Sequence, residues 1–301
     1  TGHEVADGER VDVSVILPVH NEEACLEDEI ARIAQGLDAS RYTWEMIAID
    51  DASTDGSAAI LDRHPWIRRI TLTNNMGTGT ARRLGSEAAR GDVVVWTDAD
   101  MTYPNHEMAD LVDALGDADQ VIGARRTEEG THKALRMPAK WFIRNLAQWL
   151  TGARIPDLNS GFRAFRRSAM QPYLPLLPTG FSCVSTITVA MLSDARAVHF
   201  RDIDYGKRVG RSKFHPIRDT YRYLLQVIRM ITFFNPLRVF FPMAVAILTV
   251  GAGKAVFDIV DDPVRISTNT LLIFLTGMQI LVFGLLADLV VARTKSTKVR
   301  L

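Results

Sequence analysis

The sequence predicts an α/β domain with a mainly parallel sheet, followed by two membrane-spanning helices. Three observations lead there. Apolar runs of strand length alternate with helical segments as far as residue 124. Polar clusters follow these runs at His20-Asn21-Glu22, Asp50-Asp51, residues 74–79 and residues 98–100. Two apolar runs, residues 237–257 and 271–292, each reach the ~20 residues that a bilayer requires.

The elements follow in order. Residues 13–19 form the first strand, and residues 22–37 a helix. Residues 44–50 form a second strand, ended by Asp50-Asp51-Ala52-Ser53. Residues 54–63 are helical, 67–73 a third strand and 80–90 a helix. Strands at 93–97 and 120–124 flank a helix at 104–115. In an open parallel sheet ligands bind beyond the carboxyl ends of the strands, where the polar clusters fall. A GxGxxG after the first strand and a GxxxxGK[ST] are both lacking, which weakens dinucleotide and P-loop readings.

The charges balance, with 35 Lys+Arg against 35 Asp+Glu, so no global field points to nucleic acid. Cys25 and Cys183 lie far apart and match no redox or metal spacing, and the seven histidines are scattered. No charged-then-apolar signal opens the sequence, and residues 1–12 are expected to fray. The expected organisation is a catalytic domain at 13–212, amphipathic juxtamembrane helices at 213–236, a transmembrane hairpin at 237–292 and a basic tail at 293–301.

Arg229 and Arg238 precede the first span, and Arg293, Lys295, Lys298 and Arg300 follow the second. The connection carries Asp258, Asp261 and Asp262 against Arg265. The positive-inside rule puts both ends, and with them the N-terminal domain, in the cytoplasm. Lys254 and Asp258 are one helical turn apart and are placed to pair. Gly251, Gly253, Gly277 and Gly284 offer small surfaces for close helix packing. Ile217, Tyr221, Leu224, Leu225 and Ile228 line one helical face with Arg218, Arg222 and Arg229 nearby. That pattern suits either an interfacial helix or packing against the catalytic domain.

Asp98-Ala99-Asp100 follows Val93-Val94-Val95-Trp96. Two carboxylates two residues apart at a strand end are expected to point to one side, where they repel unless a cation neutralises them. A hard divalent ion, Mg²⁺ or Mn²⁺, suits oxygen donors completed by phosphate oxygens.

Together these residues resemble the family 2 glycosyltransferases, whose Rossmann-like nucleotide-sugar domain is called GT-A. Residues 15–23, Val-Ile-Leu-Pro-Val-His-Asn-Glu-Glu, resemble the opening motif, with His20 where Tyr is usual. Residues 49–56 resemble the base-recognising motif, and Asp98-Ala99-Asp100 the metal motif. Residues 122–125, 157–165 and 205–213 resemble the dolichyl- and polyprenyl-phosphate sugar synthases, some of which carry two C-terminal spans. The QxxRW motif of processive synthases is lacking.

The resemblance implies inverting transfer of one sugar from a UDP- or GDP-sugar to a polyprenyl phosphate, and a tetramer as homo-oligomer. Pro18, His20, Glu22, Asp51, Asp98 and Ala99 would frame the nucleotide. Asp98 and Asp100 would hold the metal against the diphosphate. The acceptor phosphate needs cations more than a base, and Arg125, Arg136, Arg208 and Lys213, with Ser212 as hydroxyl donor, are the candidates. Arg208 and Asp157 are counted with Asp100 as catalytic. Asp157 orients the acceptor, acts as a weak base, pairs with Arg163 or caps a turn. Two departures stand out: Thr102 where Gln is common, and Gly77-Thr78-Gly79 where Gly-Lys-Gly is expected. The alternatives are another lipid acceptor such as diacylglycerol, or a non-catalytic membrane-anchored nucleotide-binding partner.

Overall fold

The computed structural model describes residues 10–126, 144–145, 147–149, 151–180, 182–206, 236–262 and 266–298. The chain divides into two compact units, Thr1–Gln226 and Val227–Leu301.

The first unit is built on one seven-stranded sheet. Its strands are β1 (Val13–Val19), β2 (Trp44–Asp50), β3 (Arg68–Thr71), β4 (Val93–Trp96), β5 (Gln120–Arg125), β6 (Arg163–Arg166) and β7 (Val198–Ile203). They lie in the order β3-β2-β1-β4-β6-β5-β7. β1 pairs in parallel with β2 on one side and β4 on the other, which makes their junction the switch point of the sheet. β6 alone runs against the rest, antiparallel to both β4 and β5.

The first five strands fall where the alternation predicts. β6, β7 and the helix Cys183–Ser193 have no counterpart among the predicted elements. β6 is only four residues long and begins inside the 157–165 motif, so its strand character is masked by polar neighbours. β7 is an edge strand with an alternating, half-exposed pattern, and Arg201 and Asp202 dilute its apolar signal.

Helices cover both faces. Val13, Val15, Leu17 and Val19 pack with Leu26, Ile30, Ile33 and Leu37 of α1 (Leu26–Asp38). On the opposite face α3 (Thr78–Ala88) approaches so closely that a Cβ on Gly85 would lie 2.5 Å from Ile16 and 2.6 Å from Ile49. Covered on both sides, β1 and β2 read as continuous apolar runs rather than alternating ones. α2 (Ser57–Asp62) and α4 (Met108–Asp113) complete the described helices before β5.

The second unit is a helical hairpin, Pro236–Asp261 and Thr268–Lys298, both long and apolar enough to cross a membrane. The second helix runs into the segment expected as a tail. The two helices meet through glycine: a Cβ on Gly277 would fall 2.8 Å from Leu248, and one on Gly284 2.6 Å from Phe240. Val250, Val256, Phe257, Leu289 and Val290 remain exposed, as side chains facing lipid would be. Asp258 closes the tip. It takes hydrogen bonds from Lys254 Nζ (3.0 Å), Ser267 N (3.1 Å), Ser267 Oγ (2.7 Å) and Thr270 Oγ1 (2.5 Å).

Candidate active site

Three strand ends are each followed closely by a residue forced into the left-handed region: Asn21 after β1 (φ 55°), Ala52 after β2 (φ 56°) and Met101 after β4 (φ 64°). Each such turn costs about 1 kcal/mol for a non-glycine residue, and costs of this kind cluster at sites of function. The turns are held by specific bonds. Asn21 Oδ1 accepts from Thr54 N at 2.7 Å, and Ser53 Oγ accepts from Asn21 N at 3.2 Å. Met101 N donates to the buried Glu29 carboxylate at 2.7 Å, and Asn105 Nδ2 binds its other oxygen at 2.7 Å. Burial raises the pKa of Glu29, an effect its bond from Asn105 offsets in part.

The structure brings the β1 and β2 ends together. His20 Nδ1 lies 2.8 Å from the Asp51 carbonyl, and Glu22 N donates to Ser57 Oγ at 2.9 Å. Pro18 lies half-buried opposite Ile49. Asp51 is buried, and its two carboxylate oxygens receive Met76 N (2.6 Å) and Gly77 N (2.8 Å). It therefore fixes the 74–79 loop, while each oxygen keeps a second lone pair for a ligand donor. Gly77 adopts φ 87°, and a Cβ there would lie 2.5 Å from the Thr179 carbonyl. That carbonyl also accepts from Gly79 N at 2.8 Å, so the start of α3 is closed by protein rather than offered to a phosphate.

The Asp98-Ala99-Asp100 segment departs from the simple strand picture. β4 ends at Trp96, so strand alternation no longer governs Asp98 and Asp100. Separate partners set their directions. Asp98 Oδ1 receives Arg82 Nη2 at 2.6 Å, and Asp100 Oδ1 receives Thr102 Oγ1 at 2.5 Å. Ala99 is buried, and its carbonyl lies 3.1 Å from Cys25 Sγ. Burial and the neighbouring carboxylates push the Cys25 thiol up to about 12, which keeps it protonated and inert.

Arg82 and Tyr103 carry much of this geometry and are not singled out by the sequence motifs. Arg82 lies on the inward stripe of α3 with Gly85 and Ser86, and an arginine among small residues on such a stripe is the signal of a buried partner. Burial works against its charge, yet its partners together, Asp98 foremost with Cys183 and Tyr103, outweigh that and raise its pKa. Its guanidinium carbon sits 5.4 Å from the centre of the Trp96 ring. Tyr103 Oη accepts from Gly161 N at 2.7 Å, and its ring stacks on Phe162 at 5.6 Å. A Cβ on Gly161 would meet Arg82 Nη2 at 2.5 Å and Asp98 Oδ2 at 3.0 Å. The 157–161 segment thus lies directly against Asp98 at Gly161.

Asp157 pairs with Arg125 rather than with Arg163, and it also closes a turn. Arg125 Nε and Nη2 grip Asp157 Oδ2 and Oδ1 at 2.6 and 3.0 Å, while Asn159 N adds a 2.9 Å turn bond. Burial tends to raise the Asp157 pKa, but the Arg125 fork outweighs it and holds the carboxyl below its usual range. Arg163 is instead held by neutral oxygens, Ser160 O at 2.6 Å, Thr188 Oγ1 at 2.5 Å and Leu158 O at 3.1 Å. Burial, with Arg82 nearby, pulls its pKa down to about 10. Arg125 also faces the Tyr205 ring at 5.1 Å, and Tyr205 meets Tyr103 at 5.3 Å. Arg136, Arg208, Ser212, Lys213 and the amphipathic stretch at 213–236 lie outside the described residues.

Residues 14–174, more than half of the chain, match the family model for glycosyl transferase family 2. The chain belongs to that family. Residues 235–292 match the GtrB C-terminal hairpin. A relative in Shewanella sediminis is 31% identical over 186 residues, 56% of this chain and 55% of its own length. Another, in Pseudomonas fluorescens, is 30% identical over 217 residues, 68% of this chain and 61% of its own. Both are named undecaprenyl-phosphate 4-deoxy-4-formamido-L-arabinose transferase, and the chain spans little more than half the length of these curated relatives.

The fold of this family 2 chain also has solved counterparts. Glucosyl-3-phosphoglycerate synthase from Mycobacterium tuberculosis, in complex with Mn²⁺, UDP-glucose and phosphoglyceric acid, superposes with a TM-score of 0.57 at 19% identity, covering 76% of this chain and 82% of that one. Mannosyl-3-phosphoglycerate synthase from Rubrobacter xylanophilus gives 0.56 at 21% identity, covering 76% and 74%. The α/β unit is therefore GT-A-like.

The donor set fits a divalent ion only in part. Asp98 and Asp100 supply hard oxygen ligands, and among the described residues no cluster of three or more His, Cys, Asp or Glu stands ready to hold a metal. A shell of this kind is completed by phosphate oxygens and water.

Proposed function

We propose that the chain transfers one sugar, with inversion, from a UDP- or GDP-sugar to a polyprenyl phosphate at the cytoplasmic face of a membrane. The observation that carries this reading is the meeting, at one sheet edge, of the Asp51 loop, the Asp98–Asp100 pair and the Arg125–Asp157 segment, in a chain that ends in an apolar hairpin. The names of the curated relatives support the acceptor class, and the ligands of the solved counterparts support a nucleotide-sugar donor.

Pro18, His20 and Glu22 frame the base and ribose, and Asp51 accepts from the base. Asp98 and Asp100 would hold Mg²⁺ or Mn²⁺, which would supply positive charge to the leaving diphosphate. The acceptor phosphate oxygen forms the new bond to the anomeric carbon. The old bond to the diphosphate breaks, and its electron pair leaves with the nucleotide. An ionised phosphate needs no strong base, which suits Asp157 with its depressed pKa. Asp157 instead fixes Arg125, whose fork and backbone border the acceptor side. Arg136, Arg208, Ser212 and Lys213 supply further phosphate contacts.

The test is a panel of labelled nucleotide sugars given to the full chain with either a polyprenyl phosphate or diacylglycerol. Label should enter the polyprenyl phosphate alone and be lost in Asp100→Asn. Label in diacylglycerol, or nucleotide binding without transfer to any lipid, would sink the proposal.

A further inference from the structure

Arg163, the first residue of β6, is fully buried, and its three hydrogen bonds all end on neutral oxygens. Burying a charge without a bonded counter-charge is costly, so this position calls for a reason. The shape of the guanidinium supplies one. Its Nε and Nη2, which form one parallel edge, reach Ser160 O at 2.6 Å and Leu158 O at 3.1 Å. Its Nη1 reaches Thr188 Oγ1 at 2.5 Å, and that hydroxyl donates in turn to Val184 O at 2.8 Å. The Thr188 proton is thus committed within the helix Cys183–Ser193, which leaves its oxygen as a fixed acceptor for the arginine.

The two gripped carbonyls set more than themselves. A peptide unit is planar, so a carbonyl that points one way sends the next N–H the other way. With the Leu158 carbonyl turned to Arg163, Asn159 N donates to Asp157 Oδ1 at 2.9 Å. That oxygen also receives Arg125 Nη2 at 3.0 Å. With the Ser160 carbonyl turned to Arg163, Gly161 N donates to Tyr103 Oη at 2.7 Å. Arg163 bonds to neither Asp157 nor Tyr103, yet one fork holds the peptide planes that serve both. The turn is also close-packed, since a Cβ at Gly161 would lie 2.5 Å from Arg82 Nη2.

We infer that Arg163 is a positioning residue of the acceptor side, which sets the Arg125–Asp157 pair by holding the peptide planes of the 158–161 turn. This rests on the proposed acceptor role of that pair. Arg163 itself is buried out of reach of either substrate. The 74–79 loop has its own anchor, Met76 N and Gly77 N on the Asp51 carboxylate, so nucleotide binding should not depend on Arg163. A lysine at 163 would keep the charge but present one ammonium, which cannot grip two carbonyls and a hydroxyl along a planar fork.

The experiment uses the full chain in detergent and the nucleotide sugar of the panel that the wild type transfers. It measures transfer against polyprenyl phosphate concentration, and UDP and GDP binding with Mn²⁺ by calorimetry. Arg163→Lys should lower kcat/KM for polyprenyl phosphate about 10- to 100-fold, the scale of a misplaced binding group, with nucleotide affinity within about twofold of wild type. Its loss should not multiply with that of Asp157→Asn, because both act on one pair. The double variant should match the worse single variant within about twofold. An unchanged kcat/KM overturns the inference. So does an equal loss of nucleotide binding, or losses that multiply, which are the marks of a generally loosened fold. If Arg163→Lys does not fold, Thr188→Val decides. It frees one end of the fork and should lower the same kcat/KM at least about threefold, with Thr188→Ser restoring it. Wild-type transfer by the valine variant overturns the inference. Failure of the functional reading looks different: the wild type itself then moves no sugar to polyprenyl phosphate, and the inference falls with it.

Discussion

Thr102 Oγ1 donates to Asp100 Oδ1 at 2.5 Å, which ties the second acid of the Asp98–Asp100 pair to the residue two positions on. Both side chains are buried, and Thr102 N adds a second bond to the same oxygen at 3.3 Å. Thr102→Val keeps the shape and removes the hydroxyl. It should reduce nucleotide-dependent Mn²⁺ affinity and transfer about 10- to 100-fold, the usual effect of losing the group that orients a metal ligand. Thr102→Ser should restore both. Wild-type values for the valine variant would show that Asp100 is oriented by other groups.

The Arg125–Asp157 fork gives a pH dependence of definite sign. The folded pKa of Asp157 lies below its ordinary value, so its contribution to stability is complete above the ordinary carboxylate range. That contribution is lost as pH falls through the folded value. Thermal melts of wild type and Asp157→Asn should therefore differ most near neutral pH and converge below about pH 4. A gap that stays constant down to the lowest pH tested would contradict the pairing.

Backbone conformation at the turns can be tested without touching chemistry. Ala52 holds φ 56° with no side-chain bond to support it, so Ala52→Gly should raise stability by about 0.5–1 kcal/mol in denaturant titration. Gly77→Ala should do the reverse and cost more than about 1 kcal/mol, because its Cβ also meets the Thr179 carbonyl at 2.5 Å. Equal stabilities would mean that the loops relax around either change.

At the hairpin tip, Asp258→Ala removes the acceptor for Lys254, Ser267 and Thr270 together. A loss of about 1–3 kcal/mol is expected, read as a lower melting temperature of the full chain in detergent. Asp258→Asn retains an acceptor oxygen and should fall between. Indifference to both would show that glycine-mediated helix packing alone holds the hairpin.

The β1–β2 side of the fold is legible in the sequence because its signals are local. Val13–Val19 and Trp44–Asp50 are read off as buried strands, and the acids after them are placed by chain order alone. Lys254 and Asp258 are legible as a pair because helical spacing is fixed. Asp157 is different. Its partner, Arg125, lies 32 residues away across a strand reversal, and Arg163 is nearer in sequence but turned toward carbonyls. Arg82 is illegible for a similar reason, since its partner Asp98 is 16 residues on and reached through the sheet. Spacing rules describe one helix or one strand, and these contacts are made between elements.

The single reversed strand has a further consequence for how such a site is assembled. β1, β2 and β4 deliver their outgoing loops to the ligand edge, whereas β6, running backward, delivers its incoming one. Chain segments of opposite sense thereby share one rim of the sheet. In the proposed reaction, the segment that leads into β6 is open to change for another acceptor while β1, β2 and β4 keep the geometry of the proposed donor side.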